Sequence, residues 1–81
     1  MIVDLKFYGL FDNSVILFTT DNGGGPWYSN SPRKGSKETV YEGGIRGVSF
    51  VMSPLLKKSG YINRQLISMV DWTPTFLHLA G

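Results

Sequence analysis

Apolar positions along the chain fall into short blocks separated by polar, glycine-rich stretches, and each block has its own spacing. Ile2, Leu5 and Tyr8, with Val3 beside them, recur at helical intervals, which predicts a short helix over residues 2–10 with Gly9 near its end. "FDNS" reads as a turn. The next block, "SVILFTT", is a compact apolar and β-branched run bounded by turn signals. Such a run is expected of a strand covered on both faces, the pattern of a parallel sheet. A helix followed by a covered strand is half of a βαβ unit, so the pattern points to an α/β architecture.

Residues 22–38 carry no periodicity and are rich in Gly, Ser, Asn, Pro and Lys, with Trp27 and Tyr28 standing out among them. These two aromatics either pack the loop down or line a site. A second strand is predicted at "GVSFVMS", 47–53, closed by Pro54, and "PLLKKSGYINRQ" reads as a turn or short helical segment and a loop. The last block is clearer. Asp71 is placed to cap a helix, Pro74 falls in its first turn, and "TPTFLHLAG" continues it to a stop at Gly81. Two strands and two helices supply little with which to close an α/β sheet, so the pattern predicts one incomplete domain over residues 1–81.

Composition narrows the picture in a few places. Apolar residues make up 42% and aromatics 14% of 81 residues, which argues against disorder, although a chain of this length has a thin stability margin. With no cysteine there is neither a disulfide, a thiolate-bound zinc nor a cysteine nucleophile within these residues. The net charge of +2 is spread along the chain, unlike the dense basic patch of a nucleic-acid binder, so no nucleic-acid partner is expected. No apolar stretch approaches the roughly 20 residues that span a bilayer, and "MIVDLKFYGL" lacks the form of a secretory signal.

Three stretches carry candidate chemistry. "LFTTDNGGG" sets Asp21 and Asn22 at the tip of the first strand and follows them with glycines. In open α/β sheets ligands bind beyond the carboxyl ends of strands, and a carboxylate with a carboxamide supplies hard oxygens suited to calcium or magnesium. The competing reading is an Asp-Asn-Gly turn closed by an Asx hydrogen bond. An EF-hand is excluded by the spacing. In "KGSKETVYEGGIRG", Lys37 in a glycine-rich loop points to an oxyanion partner, or else to a solvated lysine. Glu42 and Arg46 bracket two glycines, which predicts an ion pair holding a bend. Asp71 reads as a cap and not a ligand, and His78, the single histidine, as a surface or core residue of the last helix.

Taken in order, the apolar strand, "TTDNGGG", "KETVYEGGIRGV" and "DWTPTFL" resemble the later part of the sulfatase catalytic domain, nearest to arylsulfatases of the B, I and J type. The resemblance covers nearly the whole chain. It implies an alkaline-phosphatase-like α/β fold, here a partial sheet with flanking helices, and hydrolysis of sulfate esters with a divalent cation, usually calcium. Carried over by position, Asp21 and Asn22 resemble two of the metal ligands, and Lys37 the lysine that contacts the substrate sulfate. It also implies a lysosomal or secreted protein. The family's nucleophile is a formylglycine made within a Cys/Ser-x-Pro-x-Arg motif, and no such motif occurs here. The family's paired N-terminal metal aspartates and its sulfate-facing histidine are also missing. The expectation is therefore a stretch that contributes metal- and sulfate-binding residues and is inactive alone. The alternatives are a non-enzymatic remnant or an anion- or protein-binding module, and, among enzymes, another hydrolase of the phosphatase superfamily.

Overall fold

The computed structural model describes all 81 residues. Helix α1 spans Ile2–Phe7 and ends short of the expected tenth residue. Gly9 stops it by turning into the left-handed region at φ 67°, which costs glycine nothing. A 3-10 turn at Phe11–Asn13 then delivers the chain to strand β1, Ile16–Thr19. A four-residue helix α2, Glu42–Ile45, precedes strand β2, Ser49–Met52. A 3-10 turn at Met69–Asp71 leads into helix α3, Trp72–Ala80.

The two strands form one antiparallel sheet, with Ile16 opposite Met52, Leu17 opposite Val51, Phe18 opposite Phe50 and Thr19 opposite Ser49. The parallel pairing and two-sided cover expected of β1 are not what these residues build. The direction follows from the irregular connection, which returns the chain against β1. The cover is missing because β1 has only β2 beside it, while α1 and α3 pack on their adjoining 3-10 turns instead of on the sheet. An antiparallel edge pair is compatible with a larger mixed sheet. Phe18 and Phe50 stack with ring centroids 5.1 Å apart, yet both remain about half exposed.

The Ser53 hydroxyl pins the far end of the sheet. It donates to the Ser14 carbonyl at 2.6 Å and accepts from the Leu55 N–H at 3.1 Å. At the other end Thr20 and Val48 extend the ladder, with the Thr20 N–H donating to the Val48 carbonyl at 2.9 Å.

Asp71 takes a different capping role from the one expected. It stands at the head of α3, but its carboxylate accepts from the Ser68 N–H at 2.8 Å, closing the turn before the helix. Thr75 Oγ1 donates to the Asp71 carbonyl at 2.7 Å, and Pro74 lies in the first turn as anticipated. Gly81 takes a φ of 90° just past the helix, which fits a stop.

The molecule has almost no interior. Gly43, Gly44 and Ser53 are its buried residues, and no apolar side chain is buried. Its radius of gyration is 15.6 Å, against roughly 12 Å for a compact domain of this length.

Candidate functional site

Between Thr20 and Val48 the chain leaves the sheet and folds on its own backbone. The Gly23 N–H donates to the Gly44 carbonyl at 2.9 Å, the Lys37 N–H to the Gly24 carbonyl at 2.9 Å, and the Gly43 N–H to the Lys34 carbonyl at 2.7 Å. These bonds tie the strand tip, the lysine segment and α2 together. They need close approach. A Cβ on Gly44 would run into the carbonyl oxygens of Ser36 and Thr39, and one on Gly43 into those of Lys34 and Gly35. The glycines of "EGG" therefore serve packing of backbone on backbone.

Asn30 fastens the same knot. Its Oδ1 accepts from the Gly24 N–H at 2.8 Å, while its Nδ2 donates to the carbonyls of Gly24 at 2.9 Å and Gly35 at 3.1 Å. Sequence reasoning missed this residue, since an asparagine in a Gly/Ser/Pro-rich loop shows no sign of the three partners it will find. Ser31–Pro32, just after it, is a cis peptide bond. Glu38, beside Lys37, adopts a φ of 76°, a left-handed conformation that costs a non-glycine residue about 1 kcal/mol.

The knot frames an open cleft of about 430 Å³ lined by Thr20, Asp21, Asn22, Gly23, Gly24, Ser29, Asn30, Ser31, Arg33, Lys37, Gly43, Arg46 and Val48. Asp21, Asn22 and Lys37, the three residues singled out from the sequence, all lie in it. Lys37 Nζ donates to Asp21 Oδ2 at 2.6 Å, and both side chains stay substantially exposed. That hydrogen bond holds the Asp21 carboxyl below its ordinary value. The Asx turn is not formed, because the Gly23 N–H it would use goes to Gly44. Lys37 is not simply solvated either. Arg46 Nη1 pairs with Glu42 Oε2 at 3.2 Å across α2, the ion pair expected to hold that bend.

Other candidates fall outside. Trp27 is 92% exposed and Tyr28 is likewise open to solvent, and neither lines the cleft. His78 is exposed in the last turn of α3.

Asp21 and Asn22 present oxygens of the kind a hard divalent cation prefers, but calcium takes 6–8 of them. No group of three His, Cys, Asp or Glu side chains comes together anywhere in the chain. These residues do not by themselves fit a complete metal centre. Three cations and one acid line the cleft.

The sulfatase family model matches residues 1–81. This chain belongs to the sulfatase family. It is 51% identical to mouse arylsulfatase J over 78 residues, 94% of this chain and 13% of that protein. It is 39% identical to the uncharacterized sulfatase YdeN of Escherichia coli, over 94% of this chain and 14% of that protein. To mouse N-acetylgalactosamine-6-sulfatase it is 35% identical, covering 95% and 16%. The chain thus spans about a seventh of the length of these sulfatases. No solved structure matches significantly. The sulfatase family implies an alkaline-phosphatase-like α/β fold, of which the antiparallel strand pair and short helices here show a part. No helix is long and apolar enough to cross a membrane.

Proposed function

We propose that these 81 residues are part of the catalytic domain of a sulfuric ester hydrolase of the arylsulfatase type, and that their cleft supplies the sulfate contact and part of the metal site. The observation that carries this reading is the convergence of Asp21, Asn22 and Lys37 on one cleft of net positive charge within a sulfatase sequence. Lys37 offsets negative charge on the ester's sulfate oxygens as a point charge, an electrostatic contribution that needs no movement of protons. Because its ammonium is donated to Asp21, Lys37 reaches a sulfate by exchanging that carboxylate for the anion. Asp21 and Asn22 contribute two oxygen donors toward a calcium or similar divalent site, with the remaining donors coming from outside these residues. The site lacks a Cys/Ser-x-Pro-x-Arg segment, so no nucleophile is assigned here and the chain alone turns over no ester. On the same reading the whole protein acts in lysosomes or outside the cell.

A second reading is an anion-binding module without catalysis, which the excess of cations over acids lining the cleft also suits. Transplantation separates the two. The 78 matching residues replace their counterparts in mouse arylsulfatase J, and release of p-nitrophenol from its sulfate is followed. The enzyme reading expects activity, reduced at least about a hundredfold by Lys37→Ala and by Asp21→Ala. A folded but inactive chimaera leaves the binding module standing. Turnover by the isolated 81 residues that Lys37→Ala abolishes overturns the assignment of an inactive part.

A further inference from the structure

The glycine knot encloses a reactive pair. Asn22 is the one asparagine of the chain followed by a glycine, and it lines the cleft beside Asp21. We propose that Asn22 is a deamidation site whose reaction is gated by the hydrogen bond from the Gly23 N–H to the Gly44 carbonyl. The site is independent of the sulfate assignment, since it rests on backbone bonds made within these residues.

The reaction needs only the chain and water. The Gly23 amide nitrogen gives its proton to solvent base and attacks Asn22 Cγ, forming the C–N bond of a cyclic succinimide. The side-chain amide nitrogen takes up a proton from water and leaves as ammonia. Water then opens the ring at one of its two carbonyls, giving aspartate or isoaspartate. A following glycine favours the attack, because without a Cβ nothing crowds the nitrogen as it swings toward the side chain.

The knot opposes each part of that motion. The attacking nitrogen is engaged, its N–H donating to the Gly44 carbonyl at 2.9 Å, and that bond must break before the proton can leave. Ring closure also rotates the peptide between Asn22 and Gly23, and the chain is pinned on both sides of it. Before it, the Thr20 N–H donates to the Val48 carbonyl at 2.9 Å; after it, the Gly24 N–H donates to Asn30 Oδ1 at 2.8 Å. Nor can another residue replace Gly23, since a Cβ there would run into the Gly43 carbonyl. The close approach that builds the knot therefore requires the residue that makes Asn22 reactive. The product sets a second carboxylate beside Asp21, and isoaspartate lengthens the main chain by one carbon where Gly23 has no room to spare.

The test follows Asn22 conversion in the full chain and in a peptide of residues 18–26, in one mildly alkaline buffer, by peptide mapping and isoaspartyl methyltransferase labelling. Reaction from an opened knot obeys the logic of amide exchange, so the chain should convert at least about a hundredfold more slowly than the peptide. Gly44→Ala should remove most of that protection, and its acceleration should match that of Gly23 amide exchange in the same variant. Phe18→Ala, which loosens the sheet and spares the knot, should leave the Asn22 rate within about twofold of the parent. Conversion of the parent chain at the peptide's rate overturns the proposal, as does a Gly44→Ala rate equal to the parent's. Equal acceleration by Phe18→Ala and Gly44→Ala overturns it too, because the protection then belongs to the whole chain. Earlier conversion of Asn13 or Asn63 than of Asn22 in Gly44→Ala refutes the choice of site.

Discussion

The loop from Thr20 to Val48 and the segments flanking it solve the problem of stability by opposite means. The loop is held by its backbone: Gly23, Gly43, Gly44 and the Asn30 carboxamide bring chain against chain, and the two buried glycines lie here. The strand pair and the stretch from Leu55 to Leu79 carry the larger share of apolar side chains and leave most of them in water. Leu66 is fully exposed, and Phe18 and Phe50 stack on each other yet stay about half exposed. Hydrogen bonds and close packing of glycine backbone can shape a site with little hydrophobic burial. A sheet face cannot do the same, because its stabilisation comes from apolar area removed from water. The site region is thus the self-contained part of this chain, and the sheet and C-terminal arm are the parts built to be covered.

The strongest way to break that comparison is to fill the close approach. Gly44→Ala sets a methyl group against two backbone carbonyls that cannot swing aside, and should cost about 3 kcal/mol, the upper end of overpacking. Exchange of the Gly23 and Lys37 amides should accelerate about a hundredfold, while the β1–β2 amides change little. Should the sheet open to the same extent, the two regions are one unit and the contrast is wrong.

Asn30 gives the next largest effect. Asn30→Ala deletes one acceptor and two donated hydrogen bonds, each worth about 1 kcal/mol net. Water reaches this half-buried position and replaces part of them, so about 2 kcal/mol is expected in the same exchange experiment. Asn30→Asp should be at least as harmful, because it keeps the acceptor for Gly24 but turns a carboxylate toward two carbonyls. Equal stability of Asn30→Asp and the parent chain would show that the amide is not the fastener.

These two positions also show what the sequence made legible. Residue type alone left Asp21 and Asn22 open to a turn and Lys37 to plain solvation. The order of motifs resembling a sulfatase is what grouped them, and the cleft does bring all three together. The Glu42–Arg46 pair was readable because helical spacing sets its geometry locally. Asn30 was not, since its partners are backbone atoms whose positions depend on the whole loop. The antiparallel pairing of β1 was hidden for a related reason. An apolar β-branched run states that a strand expects cover, but the direction of its neighbour is set by a connection of irregular backbone with no signature of its own. In α3, Asp71 was seen as a cap from its place before "WTPT", whereas Ser68, the residue it bonds, lies on the far side of a 3-10 turn that no period announces.

On the sheet side the expected effect is smaller. Phe18→Ala removes the ring stacked on Phe50 and should cost about 1 kcal/mol, the value of an aromatic pair, read from exchange of the Thr20 amide bonded to Val48. Amides of the glycine knot should not respond. A loss of several kcal/mol would mean that the pair is already the centre of a core and that the sheet needs no cover.

The smallest effect is the response of the site to acid, and it bears on how the cleft exchanges partners. The hydrogen bond from the Lys37 ammonium lowers the Asp21 carboxyl below its ordinary value of 3.8. A lowered folded-state value means that the ion pair contributes fully above that ordinary value and is lost as pH falls through the lowered one. Both side chains are exposed, so the contribution is modest and salt weakens it further. The carboxyl carbon of Asp21 should therefore titrate below that ordinary value, and Lys37→Ala should return its midpoint to the ordinary range. Sulfate affinity should move the opposite way, rising as Asp21 is protonated and releases the ammonium to the anion. A sulfate affinity that falls with Asp21 protonation would show instead that the carboxylate holds Lys37 in place for the anion, and that the two share the lysine without competing for it.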